Sequence, residues 1–337
     1  MRLLAAWLVL FGHSYPLVLA TAEQPHIPDP ISQYFYAYLG FGQALSGMGL
    51  CLFFFVSGLL VTKSYVQRSN AVAFVRARAA RIYPALLINL LFCTLVVGAY
   101  ATTLPLEEYF FHSGIHGFIV NNLILWQVQF ELPAVFQALP WHSVNGSLWT
   151  LPLEVRMYVW CLAFGAFGLL HQRGLFNAVF LVAMGLFLIQ GKSFFLAQEG
   201  TDFLWIYFLL GMFYYLNAEQ IKLDIRILAA FVIVTACLHG AESGDQRLYD
   251  LSFAVTLSYG IIYAAYARYI PSLDIGRIGD FSYGVYLYAY PMQQVIMQQM
   301  NSDISPLRLC ALATISVIPL AVLSWYVIEK PALKRFR

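Results

Sequence analysis

The chain has 337 residues, 61% of them hydrophobic and only 11% charged, with a mean hydropathy of +0.70. That composition excludes a soluble globular domain and puts the sequence among polytopic membrane proteins, as a single membrane domain over residues 1–337. The formal net charge of +2 points to no nucleic acid or other charged partner, because the basic residues are spread between apolar runs and not gathered in a tail.

The first apolar run, from Arg2 through His13 to Ala20, reads as a helix. Eleven steps of about 100° make roughly three turns, so Arg2 and His13 share one face, about 16 Å apart along the axis. An imidazole inside a span is a functional-site candidate by default. The run has no small-residue cleavage site and carries Pro16, so it is a retained span and not a signal peptide. Arg2 directly follows Met1, which puts it at the inner edge of the membrane, and the natural start is expected upstream.

Further spans are expected at about 38–62, 79–100, 150–170, 175–191, 202–217, 226–240, 250–267, 282–300 and 307–328, each long enough for roughly 30 Å of hydrocarbon. The segments around 22–36, 101–116 and 131–148 read as polar loops. Segment 117–130 is short and contains Asn121 and Asn122. If it does not cross, the inner side holds Arg2, Lys63, Arg68, Arg76, Arg78, Arg81, Arg173, Lys222, Arg226, Arg268, Arg277, Lys330, Lys334, Arg335 and Arg337, against Lys192, Arg247 and Arg308 outside. If it crosses, the later segments invert and the two sides hold nine basic residues each. The positive-inside rule selects the first arrangement. The fold class is therefore all-α: a transmembrane bundle of about ten spans, both termini cytoplasmic, with a re-entrant or interfacial helix near 117–130.

Three clusters carry chemistry. Arg78 and Arg81, three apart at the start of the third span, are neighbours on a helix face. Two guanidinium forks there suit a phosphate, although anchoring to the inner surface explains the spacing equally well. Glu154 follows the interfacial Trp149 and is expected only several Å from His13 in depth, where a carboxylate would orient the imidazole as a general base. The alternative is a structural pair of Glu154 with a cation such as Arg156. In the ninth span Tyr283, Tyr286, Tyr288 and Tyr290 either line a polar cavity or pack as aromatics. Asn145-Gly146-Ser147 reads as a turn in preference to a glycosylation acceptor. His112, His116 and His142 share the outer loops with Glu107, Glu108 and Glu131, within touch of a polar substrate but without metal-ligand spacing. The five cysteines fall singly inside apolar runs and read as packing residues.

Taken together, several segments resemble the acyltransferase 3 family of integral-membrane acyltransferases. They are Arg2 with His13, Leu52-Phe53-Phe54-Phe55-Val56-Ser57-Gly58, Arg78-Ala79-Ala80-Arg81-Ile82-Tyr83-Pro84, Ser147-Leu148-Trp149-Thr150-Leu151-Pro152-Leu153-Glu154, Tyr283-Gly284-Val285-Tyr286-Leu287-Tyr288 and Glu329-Lys330-Pro331. They extend nearly end to end. The resemblance implies about ten helices and transfer of an acyl group, commonly acetyl, from cytoplasmic acyl-coenzyme A to a hydroxyl of a cell-surface or lipid-linked carbohydrate. It implies essential roles for Arg2, His13, Arg78 and Arg81, and a setting in the bacterial inner (plasma) membrane among its lipids.

The expected mechanism has Arg2, Arg78 and Arg81 hold the phosphates of acyl-coenzyme A, the donor substrate, while its extended arm spans the roughly 16 Å to His13. His13, oriented by Glu154, then serves as general base or takes the acyl group itself. A proton-coupled transporter or flippase is the alternative, since intramembrane His, Glu and Arg also suit transport.

Overall fold

A computed structural model describes residues 1–20, 28–39, 44–190, 203–240, 246–266 and 279–335. Among these residues the chain is helical and has no strand, only an isolated bridge between Thr102 and Val135. The helices, in chain order, are α1 (Arg2–Leu19), α2 (Pro30–Leu39), α3 (Leu45–Arg68), α4 (Ala71–Ala101), α5 (Leu106–Phe111), α6 (Ser113–Ile124), α7 (Thr150–Ala166), α8 (Arg173–Gln190), α9 (Leu204–Leu216), α10 (Ile225–Gly240), α11 (Gln246–Tyr266), α12 (Ser282–Gln299) and α13 (Pro306–Arg335). Helices stand at all the expected spans, and six of them, α1, α3, α4, α8, α11 and α13, are long and apolar enough to cross a membrane. Lys192, Arg268, Arg277 and Arg337, which enter the charge count, lie outside the described residues.

Local chemistry sets the helix ends. Asn70 caps α4 by accepting from the Ala73 N–H at 2.9 Å, and Ser69, at φ 47°, closes α3 in the left-handed region. The polar stretch 22–36 is not wholly loop. Asp29 accepts from the Ser32 N–H at 2.9 Å, and Pro30 opens α2, a capping pattern that starts a helix. Likewise 101–116 contains α5 and the start of α6.

Helix α6 has 12 residues, about 18 Å, too short to cross. Its bounds differ from 117–130 because His112 caps its start, accepting at Nδ1 from the Gly114 N–H, and Leu125 at φ 55° stops it. It packs on α4 and α5.

Apolar helices gain no hydrophobic drive toward each other in lipid, so close approach and polar bonds hold the bundle. A Cβ on Gly58 of α3 would lie 2.1 Å from the Phe208 carbonyl oxygen of α9, and one on Gly211 2.2 Å from that of Phe55. Only glycine allows this contact. Helices α1 and α3 run antiparallel: Gly12 meets Ser46, and Arg2 meets Phe53. Helix α12 runs parallel to α1, with Asp280 beside Arg2, Tyr290 beside His13, and Gln293 Nε2 donating to the Leu10 carbonyl and Ser14 Oγ at 2.8 Å each.

This register corrects the depth of the arginines. Helix α3 continues about 22 Å beyond Phe53, the residue level with Arg2, and α4 begins about 15 Å before Arg81. The α3–α4 hairpin is longer than α1, so Arg2 and Arg81 lie within the bundle and not at its rim.

Candidate active site

Four helices bring the charged residues together. Arg81, 7% exposed on α4, donates from Nη2 to Asp280 Oδ2 at 2.8 Å and from Nη1 to Glu329 Oε2 at 3.3 Å. Arg2 reaches the same Asp280 oxygen from α1 at 3.6 Å, its guanidinium 5.2 Å from the centre of the Phe53 ring. Each carboxylate gives its other oxygen to a serine. Ser282 Oγ donates to Asp280 Oδ1 at 2.5 Å, and Ser324 Oγ to Glu329 Oε1 at 3.0 Å. A π-helical turn, Trp325–Glu329, follows Ser324 in α13 and ends on Glu329. Asp280 stands just before α12. Burial alone would raise its pKa, but the guanidiniums of Arg81 and Arg2, with the bonds from Ser282, hold it below the ordinary 3.8.

Arg78 faces elsewhere. Its guanidinium lies 5.6 Å from the centre of the Tyr158 ring and 5.9 Å from that of Phe74. A cavity of about 180 Å³ between α4 and α7, with Ala79, Ile82, Val155 and Leu162 in its walls, adjoins it. The Nε atoms of Arg2 and Arg78 are buried and make no hydrogen bond among the described residues. Tyr158 in turn donates to Glu154 Oε1.

His13 sits at the other end of a tyrosine ladder. Tyr283, Tyr286 and Tyr290, at i, i+3 and i+7, share one face of α12. Tyr283 lies 5.5 Å from Arg81, Tyr286 stacks on Phe53 with ring centres 6.3 Å apart, and Tyr290 meets the His13 ring edge-on at 5.5 Å. The Tyr286 hydroxyl donates to the Ser147 carbonyl at 2.6 Å and accepts from Thr150 Oγ1. Tyr288 points off this face, toward Phe92. The tyrosines are buried against neighbouring helices.

The turn beside Tyr290 is built from buried amides. Asn145 Nδ2 donates to Asn89 Oδ1 and to the Leu287 carbonyl, both at 3.0 Å, while its Oδ1 accepts from the Ser147 N–H at 3.1 Å. Gly146 packs directly on the Tyr290 ring. Asn145 is thus a buried turn residue. The Trp141 indole donates to the Pro16 carbonyl at 3.1 Å and closes the loop over the end of α1.

The expected pair of His13 and Glu154 does not form: no hydrogen bond joins them among the described residues, and His13 Nδ1 is buried without a partner. Thr150 meets Tyr286, and α7 then runs back toward the arginines, so Glu154 and His13 diverge by about 12 Å along the axis. Nor does Glu154 pair with Arg156, whose guanidinium covers the Trp126 ring at 5.7 Å. Glu154 belongs to the arginine end, within electrostatic reach of Arg2 and Arg81. Asp280 escapes sequence reasoning, and Glu329, part of the family-like Glu329-Lys330-Pro331, receives no role from it, because their bonds to Arg81 span 199 and 248 residues. Two carboxylates bordering apolar runs were the available signal.

The comparisons with known proteins agree with this architecture. The acyltransferase 3 family model, described as an acyltransferase domain, matches residues 1–328. The O-acetyl transferase of Shigella phage Sf6 is 29% identical over 344 residues, covering 99% of this chain and 95% of that protein. Nodulation protein 10 of Rhizobium leguminosarum bv. viciae is 26% identical over 356 residues, covering 99% and 92%. No solved structure matches. A family match over nearly the whole chain, joined to a helical bundle with membrane-spanning segments, means that this chain belongs to the acyltransferase 3 family and is a membrane O-acyltransferase.

Proposed function

We propose that this enzyme moves an acyl group, acetyl in the first instance, from cytoplasmic acyl-coenzyme A to a hydroxyl of a cell-surface or lipid-linked carbohydrate. The observation that carries this reading is the tyrosine ladder joining Arg2 and Arg81 at one end to His13 at the other. The unpartnered Nε–H groups of Arg2 and Arg78 suit donor phosphates. Arg81, committed to two carboxylates, fixes the site's frame. The roughly 16 Å from Arg2 to His13 suits an extended pantetheine arm.

At the thioester, His13 takes the proton of the acceptor hydroxyl as that oxygen attacks the carbonyl carbon. The C–S bond then breaks, and the departing thiolate takes the proton from the imidazolium. Glu154, through Tyr158, balances the charge of the arginines. The charge count by side favours both termini on the cytoplasmic side, and the family resemblance implies a bacterial inner (plasma) membrane.

The test is acetyl transfer from labelled acetyl-coenzyme A in proteoliposomes holding membrane glycolipid of the producing cell. Wild type transfers label to the saccharide fraction, and His13→Ala is slower by about 10² or more. Transfer by His13→Ala at the wild-type rate removes His13 from the chemistry, and movement of an unmodified solute replaces transfer by transport.

A further inference from the structure

The feature the mechanism above does not use is the carboxylate that joins two arginines from different helices. Asp280 Oδ2 lies 2.8 Å from Arg81 Nη2 and 3.6 Å from Arg2 Nη1, and among the described residues no other carboxylate forms an ion pair with both arginines. Its orientation is fixed from behind by Ser282 on Oδ1. Glu329 holds the second Nη of Arg81 in the same manner and is itself fixed by Ser324. Arg81 therefore spends its two Nη groups on protein carboxylates.

Arg2 is held differently. At 3.6 Å its contact with Asp280 is longer than a hydrogen bond of 2.7–3.2 Å, so charge steers the guanidinium without consuming its donors. The Phe53 ring supports its face at 5.2 Å. The arrangement leaves Arg2 aimed, with N–H groups available to an anion.

We propose that Asp280 is a positioning residue that aims Arg2 at a phosphate of the thioester donor, acting through Arg2 while anchored on Arg81. This rests on the donor reading under Proposed function. A bridging carboxylate also keeps the two cations from repelling each other when no anion is present, so the donor meets a preformed site.

The test compares two acetyl donors in the full-length protein: acetyl-coenzyme A, which carries phosphates, and S-acetyl-N-acetylcysteamine, which ends before them. In Asp280→Asn the KM for acetyl-coenzyme A rises about tenfold while kcat stays within about threefold, the scale of one charge-assisted contact. Its rate with the short thioester equals that of wild type, and Asp280→Glu recovers most of the lost affinity. Equal loss with both donors, or an unchanged KM for acetyl-coenzyme A, overturns the inference alone. Wild type using both donors at equal KM overturns the donor-phosphate reading and this inference with it.

Discussion

Arg78 and Arg81 sit one helical turn apart, yet their surroundings separate them. Arg81 is buried between two carboxylates, whereas Arg78 rests on aromatic rings and bonds no carboxylate. Removing one partner of a buried ion pair leaves an uncompensated charge and costs about 3–5 kcal/mol. Arg81→Ala therefore lowers unfolding stability in detergent by about that amount, and Arg78→Ala by roughly 1 kcal/mol or less. The same unfolding curves against pH give the sign for Asp280. Its pKa is depressed in the folded protein, so its contribution is fully present above the ordinary 3.8 and fades as pH falls through the lower folded value. The Asp280 part of the gap between wild type and Arg81→Ala narrows as pH falls into that acid range. Equal melting of the two alanine variants would refute the division of labour. At this scale the residues were legible one by one: Arg2, His13, Arg78, Arg81 and Glu154 all stand in or beside the polar interior. Their partners were not. Depth estimated from Trp149 as a membrane marker put Glu154 near His13, but a helix's contacts fix its level, and Thr150 on Tyr286 sets α7 lower.

At the scale of elements, periodicity and charge sorting located the helices but not their mutual depth. The positive-inside argument against a crossing at 117–130 agrees with a helix of 12 residues ended by Leu125 in the left-handed region. The extra length of α3 beyond Arg2 was hidden, since Lys63 and Arg68 read as a loop after a span. Contact between α3 and α9 rests on two glycines, a signal that hydropathy does not carry. A side chain at Gly211 meets backbone on all three α3 residues it touches, Phe55, Gly58 and Leu59, so no rotamer relieves the clash. Gly211→Val should destabilise by at least the roughly 1–3 kcal/mol of ordinary overpacking, read as a lower melting temperature in detergent. Gly185 has nothing within 4 Å of its would-be Cβ, and Gly185→Ala in the same assay should match wild type or exceed it. A neutral Gly211→Val would mean that α3 and α9 do not meet as closely as their glycines indicate.

For the whole molecule, the long-range order follows from polar groups an apolar chain had to bury together. Helix α12 is the spine of that order. One face touches Arg81, Phe53 and His13 in succession, and its glutamines bind α1 and the 141–143 loop. A parallel α1 and α12 puts Arg2 and Asp280 toward one side of the bundle, while the loop covering Pro16 lies at the other. The charge count puts the first of these sides in the cytoplasm. Single cysteines at Lys63 and Phe111 test this, because both side chains are exposed and stand at opposite ends of the bundle: Lys63 lies about 15 Å past Phe53 on α3, and Phe111 closes α5, whose Tyr109 hydroxyl donates to the Thr94 carbonyl about 20 Å past Arg81 on α4. Among the native cysteines only Cys237 is exposed and has to be replaced first; Cys51, Cys93, Cys161 and Cys310 are buried. In intact cells an impermeant maleimide should label Phe111→Cys and leave Lys63→Cys untouched until the membrane is opened. The reverse pattern would invert the bundle and put Arg2 and Arg81 on the side away from cytoplasmic acyl-coenzyme A. Labelling of both from outside would mean that α3 does not bring Lys63 to the opposite face.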